Sequence, residues 1–238
     1  MGGVLTPQVF AIQQADLRID PTPPPWQDTN GTAIDTQWRA ATTANPALFD
    51  GTVYAALDAR YAEGCVRAIA RPMRFATLTF WRHMGMPGAG FRSLFGNIIL
   101  RGRDGGLIFA RTGPQNATAG MIGFPGGTMD QADVTDSGLN ARGCCLRECA
   151  EETGLSPSTL DVDEQMLAYL DDHRLAIGCI AHANASTAEL ADQIRANLAA
   201  QAEPELAQIY VVQTRSDLSR LSPHVVSTNF ANWIFDHD

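Results

Sequence analysis

Apolar residues along the chain fall into short runs whose spacing changes from one run to the next, which predicts alternating strands and helices. Residues 33–44 place Ile34 and Trp38 four apart, a helical spacing, and Asn45-Pro46 ends that helix. Val53-Tyr54-Ala55-Ala56-Leu57 and the stretch 75–80, Phe75-Ala76-Thr77-Leu78-Thr79-Phe80, read as strands. Pro21-Thr22-Pro23-Pro24-Pro25 cuts off a short opening segment, because proline removes backbone donors and restrains the residue before it. Gly85, Pro87, Gly88 and Gly90 crowd breakers into six positions and mark a boundary. Beyond it, 97–101 and 107–111 flank the turn Arg103-Asp104-Gly105-Gly106 as a hairpin. Met121 to Phe124 lead into a Gly126-Gly127 turn, and a helix over 139–153 stops at Gly154, a residue suited to a left-handed cap. Strands at 165–170 and 175–182, a helix over 186–200 and a strand at 208–213 complete the reading. Hairpins recur among the alternating elements, so the expected fold class is α/β, a sandwich around a mixed sheet. The division expected is an α+β extension over 1–91 packed on a domain over 92–238, with no internal repeat.

Composition narrows the partners. A formal net charge of −9, with Lys and Arg scattered singly, gives no attraction toward a nucleic-acid polymer. A small anionic ligand is compatible with it when bound divalent cations reverse the local sign. Cys65, Cys144, Cys145, Cys149 and Cys179 form no CxxC pair and read as reduced, buried thiols. No apolar run reaches the length of a membrane helix, and the N-terminus lacks a basic segment followed by an apolar one. The expectation is a cytoplasmic protein without a membrane partner, for which a homodimer is an allowed assembly.

The chemistry concentrates on the acidic helix. Glu148, Glu151 and Glu152 stand at i, i+3 and i+4, on one helical face, where three carboxylates repel one another unless compensated. Arg142 and Arg147 are the only basic residues on that helix, so the three carboxylates taken alone read either as a solvated helix face or as the ligands of a hard divalent cation. Cys144, Cys145, Leu146 and Cys149 form an apolar side that can pack on a sheet. Gly126-Gly127 permits a close backbone approach to the same place.

With Arg147-Glu148-Cys149-Ala150-Glu151-Glu152-Thr153-Gly154-Leu155 following Phe124-Pro125-Gly126-Gly127, the chain resembles the Nudix hydrolase family. The C-terminal half of that signature is complete, with Cys149 in a hydrophobic slot. In the first half Asp133 stands where a glutamate is usual, and the stretch to Arg147 is about six residues longer, extra length assigned to the turn-like 134–138. The resemblance implies a hydrolase of phosphoanhydride bonds using Mg²⁺ or Mn²⁺. It implies Glu148 and Glu152 as metal ligands, Glu151 as ligand or base, the Gly126 carbonyl as a further ligand, and Arg147 orienting a glutamate. Glu205, with Glu203 as its competitor, stands where some members recruit another glutamate from a later loop. Asp171, Asp172 and His173 read as turn residues.

The partner implied is a small nucleoside diphosphate derivative. Trp38, the Asn45-Pro46-Ala47-Leu48-Phe49-Asp50-Gly51 stretch and Phe80-Trp81-Arg82 resemble the extension of Nudix proteins that hydrolyse UDP-glucose and related UDP-sugars, with Trp38, Phe49 and Trp81 expected to be packing residues. Gly120 to Gly127 match the end of the coenzyme A diphosphatase signature, but the arginine expected four residues before Gly120 is Asn116. Coenzyme A or ADP-ribose hydrolysis is the alternative within enzymes. A catalytically inactive binding module is the alternative outside them, opposed by the retention of all three glutamates.

Overall fold

The computed structural model describes residues 6–237. Strands β1 (Gln8–Ile12) and β2 (Gln14–Ile19) precede helices α1 (Pro25–Thr29) and α2 (Gly31–Ala44). Next come β3 (Thr52–Ala62), β4 (Cys65–Arg74), α3 (Phe75–His83), β5 (Arg92–Arg101) and β6 (Leu107–Thr112). The short strands β7 (Ile122–Gly123), β8 (Gly126–Thr128), β9 (Val134–Thr135) and β10 (Gly138–Leu139) lead to α4 (Ala141–Thr153). The remainder is β11 (Asp161–Leu170), β12 (Arg174–His182), α5 (Thr187–Ala200), β13 (Leu206–Val212), α6 (Arg215–Leu221) and α7 (Val225–His237).

The fold is the expected mixed α/β arrangement. A curled sheet runs β1-β11-β12-β5-β3-β4-β2, while β8 pairs with β5, and β6 pairs with β5, β7 and β13. Its spine is the parallel pair β5 and β12, in register from Ser93 opposite Arg174 to Arg101 opposite His182. Side chains alternate across that spine, so Leu94, Ile98 and Leu100 join Ile177 and Cys179 on one face. That face is covered by Cys144, Cys145 and Cys149 of α4 and by Leu190 and Ile194 of α5. Ile99 and Ala176 point the other way, against Phe230 and Ile234 of α7. Helices therefore cover both faces of the sheet. All five cysteines are free and buried, as expected. Among the described residues no helix is long and apolar enough to cross a membrane.

The structure corrects the sequence reading at three places. Residues 75–80 form a helix, not a strand. The strand character of Phe75, Thr77, Thr79 and Phe80 is overridden by tertiary partners at the helix N-terminus. Asp50 Oδ1 accepts the Ala76 N–H at 2.8 Å, and Gln27 Oε1 accepts from the Arg74 N–H and the Thr77 hydroxyl, both at 2.9 Å. Helical spacing then buries Ala76 with Phe80 and Thr77 with Trp81. Gly126-Gly127 lies in strand β8, paired with Asn97 and Gly96 of β5, and not in a turn. Phe49 is not a packing residue. It keeps 80% of its surface exposed, whereas Trp81 is fully buried and Trp38 half-buried. The loop carrying Phe49 is fixed by the polar bonds of Asp50, which leave the neighbouring ring pointing out.

The lengthened segment before α4 takes the form of the small antiparallel ladder β9 and β10. The elements before residue 91 share the same sheet, since Ala55 and Ala56 of β3 pair with Ser93 and Arg92 of β5, and β1 pairs with β11 along its whole length.

Candidate active site

Helix α4 opens with Asn140 accepting the Gly143 N–H at 2.9 Å and closes at Gly154, whose φ of 69° is the left-handed cap. Between these ends the cysteine side is sunk into the core, which fixes the rotation of the helix and turns Glu148, Glu151 and Glu152 toward β8. The contact with β8 is tight. A Cβ at Gly127 would collide with the Glu148 carboxylate, and one at Gly126 would collide with the Gly96 carbonyl. The Gly126 N–H donates to Glu152 Oε2 at 2.7 Å.

Glu148 and Glu152 are buried, and Glu151 is exposed. Burial raises Glu148 to about 7, opposed by Arg147 and reinforced by Glu151 and Glu205. Burial, with the charge of Glu148 next to it, pushes Glu152 well above the usual carboxylate range despite the Gly126 N–H. Arg147 sits at the centre of the ion pairs, 2.9 Å from Glu148, 2.8 Å from Glu151 and 3.0 Å from Asp133. Asp133 grips two nitrogens of that guanidinium, with Nε donating at 3.2 Å. It also accepts the Asp130 N–H at 3.0 Å, so Asp133 anchors the arginine.

Glu205 reaches the same cavity from the loop before β13, where its charge is felt by both buried glutamates, and Asn116 Nδ2 stands 3.5 Å from its Oε2. Glu203 is exposed and does not line the cavity. Asp171 is a turn residue, accepting the N–H groups of His173 and Arg174 at 2.7 and 2.6 Å. The structure thus brings together Glu148, Glu151, Glu152, Arg147, Gly126 and Glu205 around one cavity of about 750 Å³.

The donor set suits a hard divalent cation. It consists of carboxylates, two of them buried, Glu148 beside Arg147 and Glu152 beside the Gly126 N–H, next to Asn97, whose buried Oδ1 has no hydrogen-bond partner. The carboxylates are not preassembled. Among the described residues no three acidic, histidine or cysteine side chains form a ready-made cage, because Glu148 is turned to Arg147 and Glu152 to the Gly126 N–H. Sequence reasoning missed Asn97, Arg82, Arg174 and His224, which also line the cavity. Asn97 carried a signal, a lone amide directly before the apolar run Ile98-Ile99-Leu100 on the same strand. The other three come from separate segments.

The NUDIX domain family profile matches residues 91–212, just over half of the chain. The chain belongs to that family, and with it to the hydrolases acting on pyrophosphate bonds, which generally use divalent metal ions. No curated protein matches it in sequence. Solved structures similar to it include a Nudix hydrolase from M. smegmatis, RenU, at 15% identity and a TM-score of 0.41, covering 61% of this chain and 84% of that one. The MutT protein from Methanosarcina mazei Go1 has 15% identity and a TM-score of 0.41, covering 61% and 94%. The NUDIX domain of Shewanella oneidensis NrtR, in complex with ADP ribose, has 13% identity and a TM-score of 0.38, covering 61% and 88%. None of these similarities bears on the substrate.

Proposed function

We propose that the chain hydrolyses a nucleoside diphosphate linked to a second moiety, preferentially a UDP-sugar such as UDP-glucose, giving UMP and a sugar 1-phosphate. The observation that carries this reading is the meeting of buried Glu148 and Glu152 with Glu205 and the β8 glycines in one cavity. Glu148, Glu151, Glu152 and the Gly126 carbonyl would hold Mg²⁺ or Mn²⁺, which when bound screens the phosphates and makes a bound water acidic. Arg147, gripped by Asp133, bridges Glu148 and Glu151 and so orients the two carboxylates before ligand enters. Glu205 and Glu151 reach the cavity without burial and are the proposed proton acceptors for the attacking water, with Glu152 aligned by the Gly126 N–H. The water oxygen bonds to one phosphorus, and the bridging oxygen departs on the other phosphate.

The extension supports the choice of UDP-sugar. Residues 1–91 are proposed to act as a substrate-binding extension on the catalytic domain 92–238, since Phe49, Val53 and Arg82 line the same cavity as the glutamates. Phe49, exposed at its rim, offers a flat apolar face for a base. Product chromatography with UDP-glucose, coenzyme A and ADP-ribose at matched concentrations tests the reading. UMP and glucose 1-phosphate are expected to form fastest. Release of 3′,5′-ADP from coenzyme A without UMP would replace the substrate, and no cleavage of any of the three with Mg²⁺ or Mn²⁺ would leave a binding module.

A further inference from the structure

The cavity has two ends of opposite charge. The acidic end lies where β8 crosses Asn97 and Gly96, whereas the other end lies where Ser93 meets Arg174 at the start of β12. Those positions are four residues apart on β5, roughly 13 Å along a strand. Three side chains from distant segments converge at the second end: Arg82 from the last turn of α3, Arg174 from β12, and His224 just before α7.

Their bonding is incomplete in one direction only. Asp171 is saturated, accepting from Arg174 Nη1 and the Tyr169 hydroxyl, both at 2.9 Å, besides two backbone N–H groups. It leaves the Arg174 Nη2 with the Met86 sulfur at 3.6 Å, a weak acceptor. The guanidinium of Arg82 and the imidazole of His224 have no hydrogen-bond or ion-pair partner among the described residues, and His224 only faces the ring of Phe95. Burial and the neighbouring Arg174 lower Arg82 to about 10, and burial with both guanidiniums lowers His224 to about 4. Two cations with spare donors, held close enough to repel, are costly to maintain unless an anion completes them.

We infer that this basic end is a binding site for a second anionic group of the substrate, a carboxylate or phosphate carried beyond the diphosphate. The inference rests on the diphosphatase reading for its other end. With the diphosphate held at the acidic end, the second anion belongs to the attached moiety, so of two substrates that differ only in that anion the protein prefers the one that carries it.

Two matched pairs test this: UDP-glucuronate against UDP-glucose for a carboxylate, and coenzyme A against dephospho-coenzyme A for a phosphate. Wild-type kcat/KM is expected to favour the charged member of one pair about tenfold or more, from charge-assisted hydrogen bonds. Arg82→Gln is expected to bring that ratio near one, with Arg82→Lys retaining part of it, and thermal melting confirms that each variant is folded. Dissociation constants for the same pairs, measured calorimetrically with Ca²⁺ in place of the catalytic ion, provide a readout without turnover. A wild-type ratio near one for both pairs, in turnover or in binding, overturns the site. An equal loss on both members in Arg82→Gln also overturns it, because the arginine would then be holding the diphosphate. A binding preference that persists without hydrolysis of any pair keeps the site and removes the diphosphatase reading.

Discussion

The buried carboxylates of α4 make the clearest demands at the scale of single residues. Glu152→Gln keeps shape and removes charge, so the fold is expected to persist while Mg²⁺-dependent turnover falls by on the order of a hundredfold or more. Near wild-type rates on an authenticated diphosphate substrate would refute the assignment. Glu148 gives a second prediction, on stability. Its folded pKa of about 7 lies above its unfolded value, so the protonated folded state is favoured at low pH and that contribution is lost as pH rises through 7. For a buried group this amounts to at most roughly 3 kcal/mol. His224 moves stability oppositely, because its folded pKa near 4 is depressed and costs stability as pH falls below 6.5. The useful measurement is therefore a difference. In EDTA, Glu148→Gln is expected to gain melting temperature over wild type by several degrees between pH 5 and pH 8. A pH-independent difference would mean that Glu148 is ionised throughout.

At the scale of elements, α3 shows how a loop can determine a helix. Asp50 reaches over 26 positions to accept the Ala76 N–H and also pairs with Arg74, which bonds Asp35 of α2 at 2.6 Å. Asp50→Ala removes both contacts and is expected to destabilise the protein by about 1–2 kcal/mol, read from the denaturation midpoint at unchanged m-value. An unchanged midpoint would show that Gln27 caps α3 alone. The same contact explains why α3 was misread while α4 was legible. The signals of α4 are local: three glutamates at helical spacing, an apolar cysteine side and a terminal glycine. Those of α3 lie at Gln27 and Asp50. Strand β4 escaped the reading because Arg67, Arg71 and Pro72 interrupt its apolar residues. The proline is tolerated because β2 ends opposite Ala70, so only β3 pairs there. The acidic half of the cavity was likewise readable from one helix and one glycine pair, whereas the basic half exists only after α3, β12 and α7 are packed.

Across the whole molecule, the segment before residue 91 occupies both sides of the sheet. Strand β1 covers the edge of β11 through five register pairs from Gln8 opposite Leu170 to Ile12 opposite Met166. Strands β3, β4 and β2 continue the sheet from β5 at the other side. Ile12, Leu17, Tyr54, Val66 and Ala70 belong to the same buried cluster as Leu94, Ile98 and Ile177. Removing residues 1–91 would thus bare two strand edges and strip apolar cover from the central core, at about 25 cal/mol for each Å² exposed. It would also remove Phe49, Val53 and Arg82 from the cavity. A chain beginning at Arg92 is expected to aggregate or to melt without a cooperative transition, in contrast to the full chain. The two are compared by size-exclusion chromatography and calorimetry. If the Arg92 truncation elutes as a monomer with unchanged melting and turnover, the extension is an independent module and contributes no wall to the substrate cavity.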